Sequence, residues 1–346
     1  MDAVDAAGRR DLPTARSMPS SLPPNEWRLP QQRTNAKGKQ LKPLTVVPGA
    51  ACSSDIGVTN GSYSRPEREA LLRTLYRGSD PFDAVDAGKK DHRYPHSNLR
   101  SSFVTALLAT ITPPRLWVEL GSFVGNSAIT TVAVAAHHCL LNLTLLAIDP
   151  FAGDTAMWAF QRLKHGASNP PFGYDFLQLT ADGRPTIRDR FLANVLTAGA
   201  APWVVPLTVP AASGLRLLNE MSIGWRGLRN TKPDVIYLDS AHEVEETLIE
   251  LRLAYSVLTP YGILFGDDWA WDGVRHDVVT FARELRPPPQ RAVELHEGFL
   301  RASVSVGLNC TTPAGGKHRP LPASTTLTLC QPGGTWMLLK GEGRDI

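Results

Sequence analysis

Residues 116–128, Leu-Trp-Val-Glu-Leu-Gly-Ser-Phe-Val-Gly-Asn-Ser-Ala, restrict the fold more than any other stretch of the chain. An apolar, β-prone run ends at Leu120, glycines stand at 121 and 125, and a run rich in Ala, Ile, Thr and Val leaves toward Ala136. Strand, glycine turn and helix in that order open a βαβ unit, and open α/β sheets hold their ligands at such turns. Glycine suits the turn because backbone and ligand approach closely there and a Cβ would stand between them. The spacing is not the dinucleotide fingerprint G-x-G-x-x-G. Ser122 and Phe123 follow the first glycine, and the next glycine is Gly125. Glu119, an acid at the end of the apolar strand, favours a cationic or hydroxyl-rich ligand over a pyrophosphate. Taken alone, the stretch also reads as a structural turn with incidental glycines.

The rest of the chain narrows this. Its 346 residues accommodate one large α/β domain with additions. A net charge of +3 gives no reason to expect nucleic-acid or membrane partners, and no apolar run is long enough to span a bilayer. The four cysteines, at 52, 139, 310 and 330, have neither C-x-x-C spacing nor disulfide-rich density. They read as reduced thiols of an intracellular, cytoplasmic protein. Cys310 and Cys330 flank a Pro/Gly-rich loop; they read as free thiols, with pairing open to them under oxidising conditions. Residues 1–60 are rich in Pro, Ser, Arg, Asn and Gln without apolar periodicity, which predicts a disordered arm with no secretory signal.

Acids recur where strands end. Residues 143–149 form a second apolar strand closing on Asp149, placed to accept hydrogen bonds from ribose hydroxyls, or else to serve as a turn or cap. Residues 203–209 give a third strand, and Pro206 argues for an edge position. The helix after it carries Ser213, a candidate contact to the adenine side of a nucleotide. Residues 234–239 end on Asp239, and residues 261–268 end on Asp267 and Asp268. In a parallel sheet these ends share one rim, where like charges repel, so a cation is expected among Asp239, Asp267 and Asp268. An all-oxygen set suits Mg²⁺ or another hard divalent ion, and the lack of cysteine there disfavours Zn²⁺. Such an ion lowers the pKa of a bound hydroxyl, and His242, three residues after Asp239, is placed to take the proton. Ser240-Ala-His-Glu243 also reads as a capping box with no chemistry.

Glu119-x-Gly121-x-x-x-Gly125-x-Ser127 resembles the first motif of class I S-adenosylmethionine (SAM) methyltransferases. Leu238-Asp239-Ser-Ala-His242, followed by a helix and then Pro260-Tyr-Gly-Ile-Leu-Phe-Gly-Asp267-Asp268, resembles the methyltransferase-24 group. That group includes the metal-dependent sugar O-methyltransferases of the macrocin and mycinamicin type, and catechol O-methyltransferase is a more distant relative. The resemblance covers about residues 100–285. It implies a Rossmann-like α/β fold: a mostly parallel seven-stranded sheet, helices on both faces and an antiparallel C-terminal hairpin. It further implies SAM on Glu119, Gly121, Ser122, Phe123, Gly125 and Ser127 with Asp149, Mg²⁺ on Asp239, Asp267 and Asp268, and His242 as base. The acceptor implied is a small hydroxylated molecule, of sugar or phenol type. Two residues depart from the pattern: Tyr261 stands where glycine is common, and Asp267 where the macrolide enzymes favour Glu.

The domain organisation expected is an arm (1–60), a helical cap with a candidate lid (61–112) and a SAM-binding methyltransferase domain (113–346). Within the last, a helix is expected over 274–285. Closing strands are expected over 302–307 and 335–340, with a short extra strand over 327–330. Two other classes remain at this stage: an NAD-using Rossmann enzyme, and a non-catalytic SAM-binding scaffold in which the rim acids only cap helices. Homo-oligomerisation is left open by the sequence.

Overall fold

A computed structural model describes residues 65–85, 99–153, 158, 177–224, 232–285, 287, 290–311, 326–331 and 334–341. In order, the elements are α1 (Pro66–Tyr76), α2 (Ser101–Leu108), β1 (Leu116–Leu120), α3 (Asn126–His137), β2 (Thr144–Ile148) and α4 (Ile187–Thr197). A 3₁₀ turn (Ala201–Trp203), β3 (Val204–Leu207), α5 (Ala211–Gly224), β4 (Val235–Leu238), α6 (Glu246–Val257) and β5 (Ile263–Gly266) follow. The chain closes with α7 (Asp272–Glu284), α8 (Gln290–Ser305), β6 (Asn309–Thr311), β7 (Thr328–Gln331) and β8 (Thr335–Leu339). The arm and the aromatic-rich stretch after Asp154 lie outside the described residues, apart from Trp158, whose indole donates to the Ala152 carbonyl.

The described strands form one sheet, β3-β2-β1-β4-β5-β8-β7-β6. The first five run parallel, and β8, β7 and β6 are antiparallel to their neighbours. β1, β2, β4 and β5 are buried along their whole length, as parallel strands covered on both faces must be. Alternate side chains serve two cores. Trp117, Tyr237 and Phe265 point into one, with α2, α3, α4 and α8; Leu116, Val118, Ile236 and Leu264 point into the other, with α1, α5, α6 and α7. The Tyr237 and Phe265 rings stack at 4.8 Å, and Trp117 meets Phe265 edge-on at 5.6 Å. Burying each such side chain is worth about 1.5–3 kcal/mol, so β1, β4 and β5 are held at fixed spacing from below.

The helix α1 begins as its sequence predicts, with Pro66 in the first turn and Glu67 and Glu69 at the positive end of the dipole. It ends on Arg77 in the left-handed region. Helices α1 and α2, expected as a cap, lie in the two cores on opposite faces of the sheet. β3 is an edge strand, as Pro206 requires.

Three expectations are corrected. The sheet has eight described strands rather than seven, because β6 and β7 both join it. Residues 302–307 are not a strand: up to Ser305 they complete α8, whose Ala292, Phe299 and Ser303 are buried while Val304 is exposed. The antiparallel strand lies just beyond, at β6. Finally, Cys310 and Cys330 are directly opposed in the β6–β7 ladder, with Cα atoms 4.0 Å apart, and form a disulfide. Cys139 is disulfide-bonded as well. Paired cysteines persist in oxidising surroundings, so the cysteine argument for a cytoplasmic location no longer holds. No helix among the described residues is long and apolar enough to cross a membrane.

Candidate functional site

The exits of β1, β2, β4 and β5 meet on one rim of the sheet. Gly121 follows β1 with φ +83, and a Cβ there would lie 2.0 Å from the Asp239 carbonyl oxygen at the end of β4. Glycine is therefore required both by its conformation and by contact between two loops. The Gly121 amide donates to Ile148 O, the last residue of β2, at 2.9 Å. Gly125, at φ +90, stands at the N-terminus of α3 and donates to Ser122 O at 2.7 Å. Phe123 between them is also left-handed, at φ +46.

Asp149 fastens this loop. One of its carboxylate oxygens accepts from the Phe123 amide at 2.7 Å, and the other accepts from the Phe151 amide. A carboxylate offers about four acceptor sites, so Asp149 keeps capacity for a hydroxyl while it holds the turn. Burial raises its pKa. Glu119 is fully buried; its Oε1 accepts from the Ser127 hydroxyl at 2.9 Å and its Oε2 has no hydrogen-bond partner. Desolvation pushes its carboxyl up to about 8, against the hydrogen bond of Ser127. The Ser122 hydroxyl beside it is buried and likewise without a partner. Unsatisfied polar groups at such depth are costly. Here two of them belong to the glycine motif, where a polar ligand would complete them. Ser213 is exposed in the first turn of α5, beyond the end of β3.

The second half of the site hangs from β4 and β5. Asp239, partly buried, accepts from the Tyr237 hydroxyl at 3.1 Å. Burial drives its pKa well up, and the charges of Asp267 and Asp268 push it further. His242 Nε2 and Asp268 Oδ2 lie 2.9 Å apart, and the His242 ring leans against Trp271 at 5.2 Å. Asp239, His242 and Asp268 each offer a ligand atom, and these atoms lie within 4.8 Å of one another. Two carboxylates and an imidazole so converged fit a divalent cation.

Asp267 is placed differently. It is 2% exposed, neither of its oxygens has a hydrogen-bond partner among the described residues, and it is not part of the converged group. Burial, then the charge of Asp268, raises it to about 7. It lines the same hollow as Asp239, His242, Asp268, Thr247 and Trp336. Successive side chains leaving a strand turn to opposite sides. Asp268, at φ +55, faces His242, while Asp267 stays beneath.

The capping-box reading of residues 240–243 does not hold. The Ser240 hydroxyl donates to Glu250 on the second turn of α6, at 2.5 Å, and Thr247 donates to Ala241 O at 2.9 Å. The first turn of α6 is capped instead by Asp277 of α7, which accepts from the Leu248 amide at 3.0 Å. At its other end Lys340 donates to Tyr255 O and Leu258 O. Thus α6 is fixed at both ends and straps the loop carrying Asp239 and His242. Sequence reasoning missed Tyr237, Thr247, Glu250 and Asp277. The one signal for Glu250 was an acid set among the apolar residues Leu248, Leu251 and Ala254 of the helix.

Residues 118–269 match the family model for the methyltransferase-24 group, described as a methyltransferase domain. This segment is a methyltransferase domain. It runs from the middle of β1 to just past β5 and takes in every converged residue above, so the enzyme is a methyltransferase and the acid-tipped rim is part of the matched domain. No curated protein matches the sequence. Among solved structures, the chain is similar to an O-methyltransferase from Bacillus cereus determined with S-adenosylhomocysteine (SAH), at 13% identity and TM-score 0.35. That alignment covers 84% of this chain and 98% of the other. It is also similar to the O-methyltransferase TomG of Streptomyces achromogenes, involved in tomaymycin synthesis and determined with SAM, at 14% identity and TM-score 0.33, over 85% and 97% of the two chains. Likenesses this distant assign no role to any residue of the methyltransferase described here.

Proposed function

We propose that this methyltransferase transfers the methyl group of SAM to a hydroxyl of a small molecule, assisted by a divalent cation. The observation that carries the reading is the juxtaposition of Gly121 with Asp239: the glycine loop and the acid-tipped loop touch, so a nucleoside on one is adjacent to a hydroxyl held at the other. In this reading Gly121, Phe123 and Gly125 give backbone access to the methionine end of SAM, and Ser122 and Ser127 line it. Glu119 receives the ammonium, and Asp149 turns its remaining acceptor sites toward the ribose. Asp239 and Asp268 would hold the cation, which supplies a lowered pKa to a bound hydroxyl. Two roles are open to His242 at this place: taking the hydroxyl proton, or joining the carboxylates as a ligand. The sulfonium methyl is already electrophilic, so what remains for the protein is in-line positioning. Trp271, beside His242, offers an aromatic wall to either a sugar or a phenol ring.

The test is calorimetric titration of SAH, followed by transfer of labelled methyl from SAM to a panel of sugars and phenols. Binding of SAH, with transfer lost in Asp239→Ala, is the expected result. A protein that binds NADH but not SAH would overturn the reading in favour of another Rossmann chemistry. SAH binding without any transfer or metal response would favour a scaffold role.

A further inference from the structure

Building on the cation-assisted reading, we propose that His242 is a metal ligand rather than the general base. The divalent ion then sits on Asp239, His242 and Asp268, with Asp267 as a buried carboxyl behind it, and a transition ion that takes an imidazole ligand more readily than Mg²⁺ does, such as Co²⁺ or Mn²⁺, is preferred.

The argument is geometric. Donors bound to one ion at about 2.0–2.3 Å cannot be more than about 4–4.6 Å apart. The ligand atoms of Asp239, His242 and Asp268 lie within 4.8 Å of one another, close to that limit before any ion draws them in. Asp267 is outside this group, although it neighbours both carboxylates in sequence or across the sheet. The Nε2 of His242 is directed at Asp268 Oδ2, 2.9 Å away. A base would need that nitrogen free to face the substrate hydroxyl, whereas here it meets a carboxylate of the converged group.

The surroundings fix that aim. Trp271 lies against the imidazole, and Gly273 of α7 is so close to the His242 carbonyl oxygen that a Cβ would fall 2.3 Å from it. Together with the Thr247 bond to Ala241 O, these contacts restrict the loop to one course. Asp267 supplies the independent sign of a ligand. It is 2% exposed and its two unpartnered oxygens line the same hollow, where a water on the ion would satisfy them. Imidazole in the donor set shifts selectivity away from Mg²⁺, which favours oxygen and water, toward ions that accept nitrogen.

The experiment uses the full chain with Mn²⁺ as probe, and reads binding rather than turnover. Free Mn²⁺ is followed by electron paramagnetic resonance, and a spin-echo measurement on the bound ion detects a coordinated nitrogen. Expected are nitrogen modulation in the wild type, at least tenfold tighter Mn²⁺ than Mg²⁺, and at least tenfold weaker Mn²⁺ in His242→Ala. Asp267→Asn should change affinity by less than His242→Ala does. Equal affinity for the two ions, absent nitrogen modulation, or loss of Mn²⁺ in Asp267→Asn with retention in His242→Ala would each overturn the proposal. SAH titration of each protein reports whether the variant is folded. No bound metal in a wild type that binds SAH would sink the metal assignment and leave the methyltransferase reading standing.

Discussion

The sharpest consequence of the site concerns Glu119. Burial holds its carboxyl at about 8, so near pH 7 about nine-tenths of the free protein carries a proton there. An ammonium placed at the unpartnered Oε2 favours the ionised form. Binding of SAH should therefore release about 0.9 proton per ligand at pH 7. The apparent affinity should rise about ninefold from pH 6 to pH 7, about fivefold more to pH 8, and then level off. Calorimetry in buffers of different ionisation enthalpy counts the protons directly. In Glu119→Gln the proton release and the pH slope should both vanish and binding should weaken. The same shift has a cost for folding. A carboxyl whose folded pKa lies above its unfolded value of 4.5 binds its proton more tightly when folded, so its contribution is most favourable in acid and falls as pH rises from there through about 8. At pH 7 that amounts to about 3 kcal/mol, and Glu119→Gln, which cannot ionise, should be more stable by up to that amount. A wild type that exchanges no proton on binding SAH, or a Gln variant with the same pH slope, would refute the placement of the ammonium at Glu119.

Two further outcomes follow from the geometry. Gly121→Ala places a Cβ 2.0 Å from the Asp239 carbonyl oxygen at a positive φ; urea unfolding should show a loss of about 2–4 kcal/mol, and SAH binding should fall with it. Opening the Cys310–Cys330 bridge, whose cysteines are separated by 20 residues, in Cys310→Ser/Cys330→Ser should lower stability by about 3 kcal/mol. Unfolding of wild type and variant under non-reducing conditions checks this, and equal midpoints would refute it.

The legible part of the fold was the part set by local pattern. β1, β2, β4 and β5 are apolar runs ending on acids, and each was found within a residue or two of its place because central parallel strands are buried on both faces. Pro206 announced an edge strand for the same kind of local reason. The C-terminal third misled where local and long-range signals disagree. Ser and Val alternate over 302–307 like a strand, but the helix begins at Gln290 after the prolines, and its buried face is spaced by Ala292, Phe299 and Ser303. The Cys310–Cys330 pairing depends on the register of a hairpin whose strands are far apart in sequence. At the site, residue types and strand ends were readable; the group expected was Asp239, Asp267 and Asp268 with His242 as base, whereas the ligand atoms that lie together are those of Asp239, His242 and Asp268. What sequence does not record is which way each side chain turns: the adjacent acids 267 and 268 look equivalent in the sequence, yet Asp267 is buried and Asp268 faces His242. Thr247 and Asp277 left no signal because they act across helix–loop and helix–helix contacts rather than along the chain.

The contact of Gly121 with Asp239 has one more consequence. The nucleoside loop and the acid loop pack backbone to backbone, with no room for a Cβ between them. Affinity for the methyl donor and geometry at the acceptor are thereby tied: a substitution that widens one half loosens the other. Attempts to redirect this enzyme to new acceptors should leave that seam untouched and vary the outer surface instead, at the exposed start of α6.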